Sequence, residues 1–123
     1  MAKIALWGAG LMMLAVGLLH LVAPQTMMQE PRIALTSANH FHIVRAAYGG
    51  AYLGIAALFL MGAIRPERRA ASLLAVALLF SGFALGRIVS IAADGVPVAL
   101  YLAVLVFEVV FAALAALALR RGG

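Results

Sequence analysis

The chain is 123 residues long, 67% hydrophobic and 11% charged, with a mean hydropathy of +1.14. Soluble domains carry about a quarter charged and about half apolar residues, so that class is excluded, and the length allows one domain over residues 1–123. The lack of cysteine removes disulfides, thiolate metal sites, iron–sulfur clusters and cysteine nucleophiles. A net charge of +5 from nine Lys+Arg against four Asp+Glu reads as membrane topology, not as a nucleic-acid face, because no solvated basic surface accompanies it.

Four apolar stretches, at 4–23, 41–64, 70–93 and 98–119, each approach the ~20 residues needed to cross ~30 Å of hydrocarbon. A backbone in lipid must satisfy its own hydrogen bonds, so these stretches are helices; barrel strands would be about half as long. Pro24 closes the first span. A long connection follows, from Pro24 to about His40, in which Met27, Met28, Ile33 and Leu35 suggest a segment on the membrane surface, and Thr36, Ser37 and Asn39 offer caps for the second helix. Arg65, Pro66, Glu67, Arg68 and Arg69 form a short charged connection. Asp94, Gly95 and Pro97 make a tight turn before the fourth span.

Lys3, the trio Arg65, Arg68 and Arg69, and the pair Arg120 and Arg121 fall on one side of these spans, against Arg32 alone in the opposite loops. The positive-inside rule places both termini in the cytoplasm. The apolar run of the first span is too long for a signal-peptide core of roughly 7–15 residues, so it reads as a retained helix.

Ionisable residues inside a span are costly and normally face protein or water. Arg45, Arg87 and Glu108 are such residues. At 1.5 Å per residue they lie roughly 6, 10 and 16 Å from the outer face, and His20, about a turn before Pro24, is on the same side. Arg45, Tyr48, Gly49 and Tyr52 follow one helical stripe; Arg87, Ser90 and Asp94 follow another; Tyr101 and Glu108 are seven apart on the last helix. These stripes are expected to meet in one interior, where two arginines against one deep glutamate leave surplus positive charge unless Asp94 joins them. The simpler reading is an Arg87–Glu108 pair that fixes helix register. The sharper one is an outward-opening cluster that grips a lipid or quinone head group or a small anion, using arginine's fork geometry. A proton-relay role for Glu108 is a third.

His40 and His42 form a His-x-His pair near the level of His20, but on a helix i and i+2 diverge, so no metal site is expected. Gly50 and Gly54, and Gly82 and Gly86, are G-x-x-x-G pairs that favour close contact between the second and third spans. Met12, Met13, Trp7 and the six phenylalanines read as packing or lipid-facing groups. No hydrolytic triad, paired catalytic carboxylates or metalloprotease helix can be assembled, so no enzyme and no cofactor are expected.

The runs Val44-Arg45-Ala46-Ala47-Tyr48-Gly49-Gly50 and Gly86-Arg87-Ile88-Val89-Ser90, then Asp94-Gly95-Val96-Pro97, and Glu108 in the last span together resemble a bacterial family of small four-helix membrane proteins, catalogued as domain of unknown function 4345. The resemblance covers almost the whole chain. It implies a four-helix inner-membrane protein, with Arg45, Tyr48, Gly49, Arg87, Ser90, Asp94 and Glu108 at the matching positions, and supplies no activity. A looser likeness to DoxX-type four-helix proteins, associated with quinone or redox partners, carries no residues across. Small multidrug transporters are similar in length, but their essential glutamate lies in the first span, which here holds only His20.

The expected fold is an all-α, integral membrane, antiparallel four-helix bundle with both termini cytoplasmic, in a bacterial inner membrane. The expected function is a non-enzymatic binding or accessory subunit, with Arg45, Arg87, Glu108, Tyr48, Tyr52, Ser90, Asp94, Tyr101 and His20 around the ligand. Its expected partners are membrane lipids, a quinone or a small anion, and either further copies of itself or a larger membrane complex, with no nucleic acid. The alternatives are an oligomeric proton- or ion-coupled transporter of small solutes and a purely structural subunit.

Overall fold

The computed structural model describes residues 1–122. Six α-helices carry the chain: α1 (Ala2–Val22), α2 (Pro24–Met27), α3 (Ala38–Val44), α4 (Ala51–Ile64), α5 (Arg69–Asp94) and α6 (Ala99–Arg120), and no strand occurs among the described residues. A π-helical turn, Arg45–Gly50, joins α3 and α4 into one rod, and a 3-10 turn, Pro66–Arg68, leads into α5. The chain thus has four helices long and apolar enough to cross a membrane: Ala2–Val22, Ala38–Ile64, Pro66–Asp94 and Ala99–Arg120.

Local chemistry sets their ends. Proline pushes the residue before it out of the helical region: Ala23 (φ −132°, ψ 54°) stops α1 before Pro24, and Arg65 (φ −107°, ψ 110°) stops α4 before Pro66. Gly95, at φ 102°, ends α5 in a conformation that a Cβ would strain. Ser37 caps α3, its side-chain oxygen accepting from the His40 backbone N–H at 3.3 Å. In the long first connection Met28 and Leu35 are buried with Val44, and Phe41 packs against them.

The most extensive contacts are of α1 with α4 and of α5 with α6; α1 also touches α5 and α6, and α4 touches α5. Alanines on α1 and α6 (Ala5, Ala9, Ala112, Ala115) leave room in the core for the large side chains of Phe59 and Phe80, whose rings meet edge to face at 5.9 Å. Close approach depends on glycines other than the two spaced pairs. A Cβ on Gly17 would lie 3.1 Å from the Leu53 backbone nitrogen, one on Gly49 3.2 Å from the Leu21 backbone, and one on Gly10 2.7 Å from the Leu60 side chain. A Cβ on Gly62 would collide with Ser72, and one on Gly8 with Phe111.

The expected G-x-x-x-G contact between the second and third spans does not form. Gly54, Gly82 and Gly86 have no atom within 4 Å of a Cβ position, and Gly50 meets only a carbonyl of its own turn. These faces point outward. The α4–α5 contact is made near the connection instead, where buried Ser72 donates to the Leu58 carbonyl at 2.6 Å.

Candidate functional site

The short turn between α5 and α6 brings two polar stripes together. Arg87, two turns before the end of α5, reaches Glu108 on α6 through two hydrogen bonds: Nε donates to Oε2 at 2.8 Å and Nη2 to Oε1 at 3.0 Å. This fork-on-carboxylate geometry is the strong form of a charged hydrogen bond. The Glu108 side chain is 4% exposed and that of Arg87 35%. The carboxylate is therefore held by the guanidinium, while one edge of the guanidinium stays accessible. It is the sole salt bridge among the described residues.

That accessible edge lines a cavity of about 220 Å³ whose other walls are Ser90, Ile91, Pro97 and Tyr101. The Arg87 guanidinium carbon sits 6.0 Å from the Tyr101 ring centre, at the outer limit of a cation–π contact. One turn on from Arg87, Ser90 donates to Asp94 at 3.2 Å. Ile91 was not singled out from the sequence, and Pro97 reads there only as part of the turn before the fourth span. Ile91 stands at i+4 from Arg87 on the same stripe as Ser90, so helical spacing contained that signal.

Arg45 does not join this group. Its Nε donates to the Leu21 carbonyl at 3.0 Å, one of the unsatisfied carbonyls at the end of α1, and its guanidinium carbon lies 5.5 Å from the Phe41 ring centre. The reason is the π-helical turn that begins at Arg45, where Ala51 N–H bonds to the Ala46 carbonyl five residues back. A turn with one extra residue breaks the 3.6-residue stripe from Arg45 through Tyr48 to Tyr52. The expected surplus of positive charge is therefore not present around Arg87: beside it stand Glu108 and, through Ser90, Asp94.

His20 is buried, with Nδ1 2.8 Å from the Val16 carbonyl. A carbonyl oxygen can only accept, so Nδ1 donates in this contact. Its ring packs on Tyr48 (5.6 Å) and Tyr52 (6.4 Å), and the two tyrosines meet at 5.8 Å. Tyr52 continues to Phe83 at 6.3 Å and lies within electrostatic reach of both Arg87 and Glu108. His20, Tyr48 and Tyr52 thus form a column on the α1–α4 side, adjoining the ion pair but outside the cavity wall. His40 serves its own turn, Nδ1 accepting from the Thr36 N–H at 3.1 Å. No three His, Asp or Glu side chains converge to hold a metal among the described residues.

Four helices long and apolar enough to cross a membrane define a small membrane protein. Residues 1–119 match the family described as Domain of unknown function (DUF4345), and the chain belongs to it. No curated protein and no solved structure matches the chain. The looser DoxX-type likeness gains nothing from the family match.

Proposed function

We propose that the cavity beside Arg87 binds the polar head of a membrane amphiphile through a carbonyl oxygen, as in a quinone or a lipid ester. The observation that carries this is the two-point Arg87–Glu108 pair with the guanidinium edge still lining the cavity. A neutralised arginine whose position is fixed from behind is a directional donor more than a net positive charge. With Glu108 and Asp94 near it, a free anion is disfavoured and a neutral acceptor is favoured. Ser90 and Tyr101 supply hydroxyls on the same wall. A volume of about 220 Å³ is below the ~300–1,000 Å³ of pockets that enclose a whole small molecule. It suits a head group whose tail stays in lipid.

In this reading the protein is a non-enzymatic binding or accessory subunit, an antiparallel bundle with both termini in the cytoplasm of a bacterial inner membrane. Arg87 is the donor, Glu108 its positioning residue, and the His20–Tyr48–Tyr52 column packs behind them. The test is native mass spectrometry of the chain extracted gently from its own membrane, with lipid analysis of what accompanies it. The expected result is a neutral, carbonyl-bearing amphiphile lost in both Ser90→Ala and Arg87→Met. Retention of the same molecules by both variants would leave the ion pair with a purely structural role in helix register.

A further inference from the structure

The opposite end of the molecule carries cations without partners. Lys3, Arg65, Arg68, Arg69, Arg120 and Arg121 lie at the start of α1, the α4–α5 connection and the end of α6. Glu67 is the one acidic side chain among them, and no salt bridge forms here among the described residues. Close approaches of Gly10 to Leu60, Gly62 to Ser72 and Gly8 to Phe111 tie these helix ends together. Between the start of α1 and the end of α6 lies a second cavity, of about 340 Å³, walled by Met1, Ala2, Lys3, Ala118 and Arg121.

One further observation at this end calls for an acceptor. The first turn of α1 has neither a side-chain cap nor an acidic residue, so its N–H groups and the positive end of its dipole remain open to an anion. Basic pockets between helix ends at a membrane surface suit lipid phosphates, which deliver negative charge at head-group level.

We propose that the cavity between the start of α1 and the end of α6 is a site for a phosphate group of net negative charge, held by Lys3 and Arg121. The chemistry is shared by an anionic phospholipid and by free phosphate. It is distinct from the carbonyl-binding cavity at Arg87, where a paired carboxylate cancels the charge. Here the cations form no salt bridge among the described residues, so a bound group that brings negative charge is favoured.

The test uses the purified full chain in neutral detergent, read by native mass spectrometry and thermal unfolding, with phosphatidylglycerol, phosphatidylcholine or inorganic phosphate added. The expected result is a retained phosphatidylglycerol adduct that phosphatidylcholine does not match. It should bind about 30-fold more weakly to Lys3→Gln/Arg121→Gln, at ~1 kcal/mol for each cation removed. Lys3→Arg/Arg121→Lys, which keeps both charges, retains the adduct and guards against a folding artefact. Stabilisation by inorganic phosphate alone, lost in the same double variant, assigns the site to the free anion. Equal binding of phosphatidylcholine and phosphatidylglycerol, or undiminished binding by the charge-removing variant, overturns the proposal.

Discussion

Removing the carboxylate of Glu108 should cost about twice as much as removing the guanidinium that faces it. Glu108→Gln keeps the volume but strands Arg87, whose side chain is 35% exposed and which cannot lose its proton. Breaking a buried pair costs ~3–5 kcal/mol. Because the Arg87 side chain stays 35% exposed, the low end applies, about 3 kcal/mol, or more than 100-fold in the folded-to-unfolded ratio. Arg87→Gln instead strands a carboxyl group, which can neutralise itself by taking a proton, so its cost should be roughly half as large. Arg87→Met/Glu108→Leu removes both charges and fills the space with apolar atoms, and should fall within about 1 kcal/mol of the native chain. The assay is reversible unfolding in mixed micelles by denaturing detergent, followed by circular dichroism and by Trp7 fluorescence. Equal costs for the two single variants, with the double variant at their sum, would refute the reasoning. The double variant would also separate stability from the proposed function, since it should fold while losing any head group that depends on Arg87.

Packing and topology give two further tests. Gly17→Ala and Gly62→Ala should each destabilise by ~1–3 kcal/mol through overpacking, because a Cβ there meets backbone of α4 or the buried Ser72. Gly54→Ala and Gly82→Ala, facing open space, should be neutral or stabilising by ~0.4–1 kcal/mol, and the same unfolding assay distinguishes these. Ser72→Ala, which removes the bond to the Leu58 carbonyl, should cost about 1 kcal/mol and so rank below Gly62→Ala. Reporter fusions at the two ends of the chain should both report the cytoplasm; a periplasmic signal from either would overturn the charge-based orientation.

The sequence by itself determined where the four long helices lie and what separates them. Expected spans of 41–64 and 98–119 correspond to the rods Ala38–Ile64 and Ala99–Arg120, and Pro24, Pro66 and Gly95 stop helices where their backbone chemistry requires. Hydropathy and proline act locally, so no knowledge of neighbours is needed. The Arg87–Glu108 partnership was legible for a related reason: two charges in apolar helices joined by a short turn have few alternatives to each other.

Helix rotation was decided only by the tertiary structure. In helices apolar on nearly every side, no polar stripe marks the outward face, so Gly50, Gly54, Gly82 and Gly86 looked as fit for an interface as Gly10, Gly17 and Gly62, and only packing separated them. The fate of Arg45 was hidden for a different physical reason. Its stripe was drawn at 3.6 residues per turn, and the π-helical turn from Arg45 to Gly50 breaks that periodicity where the guanidinium leaves for the Leu21 carbonyl. That one local departure from α-helical spacing leaves Arg87 with a carboxylate partner and no second arginine beside it.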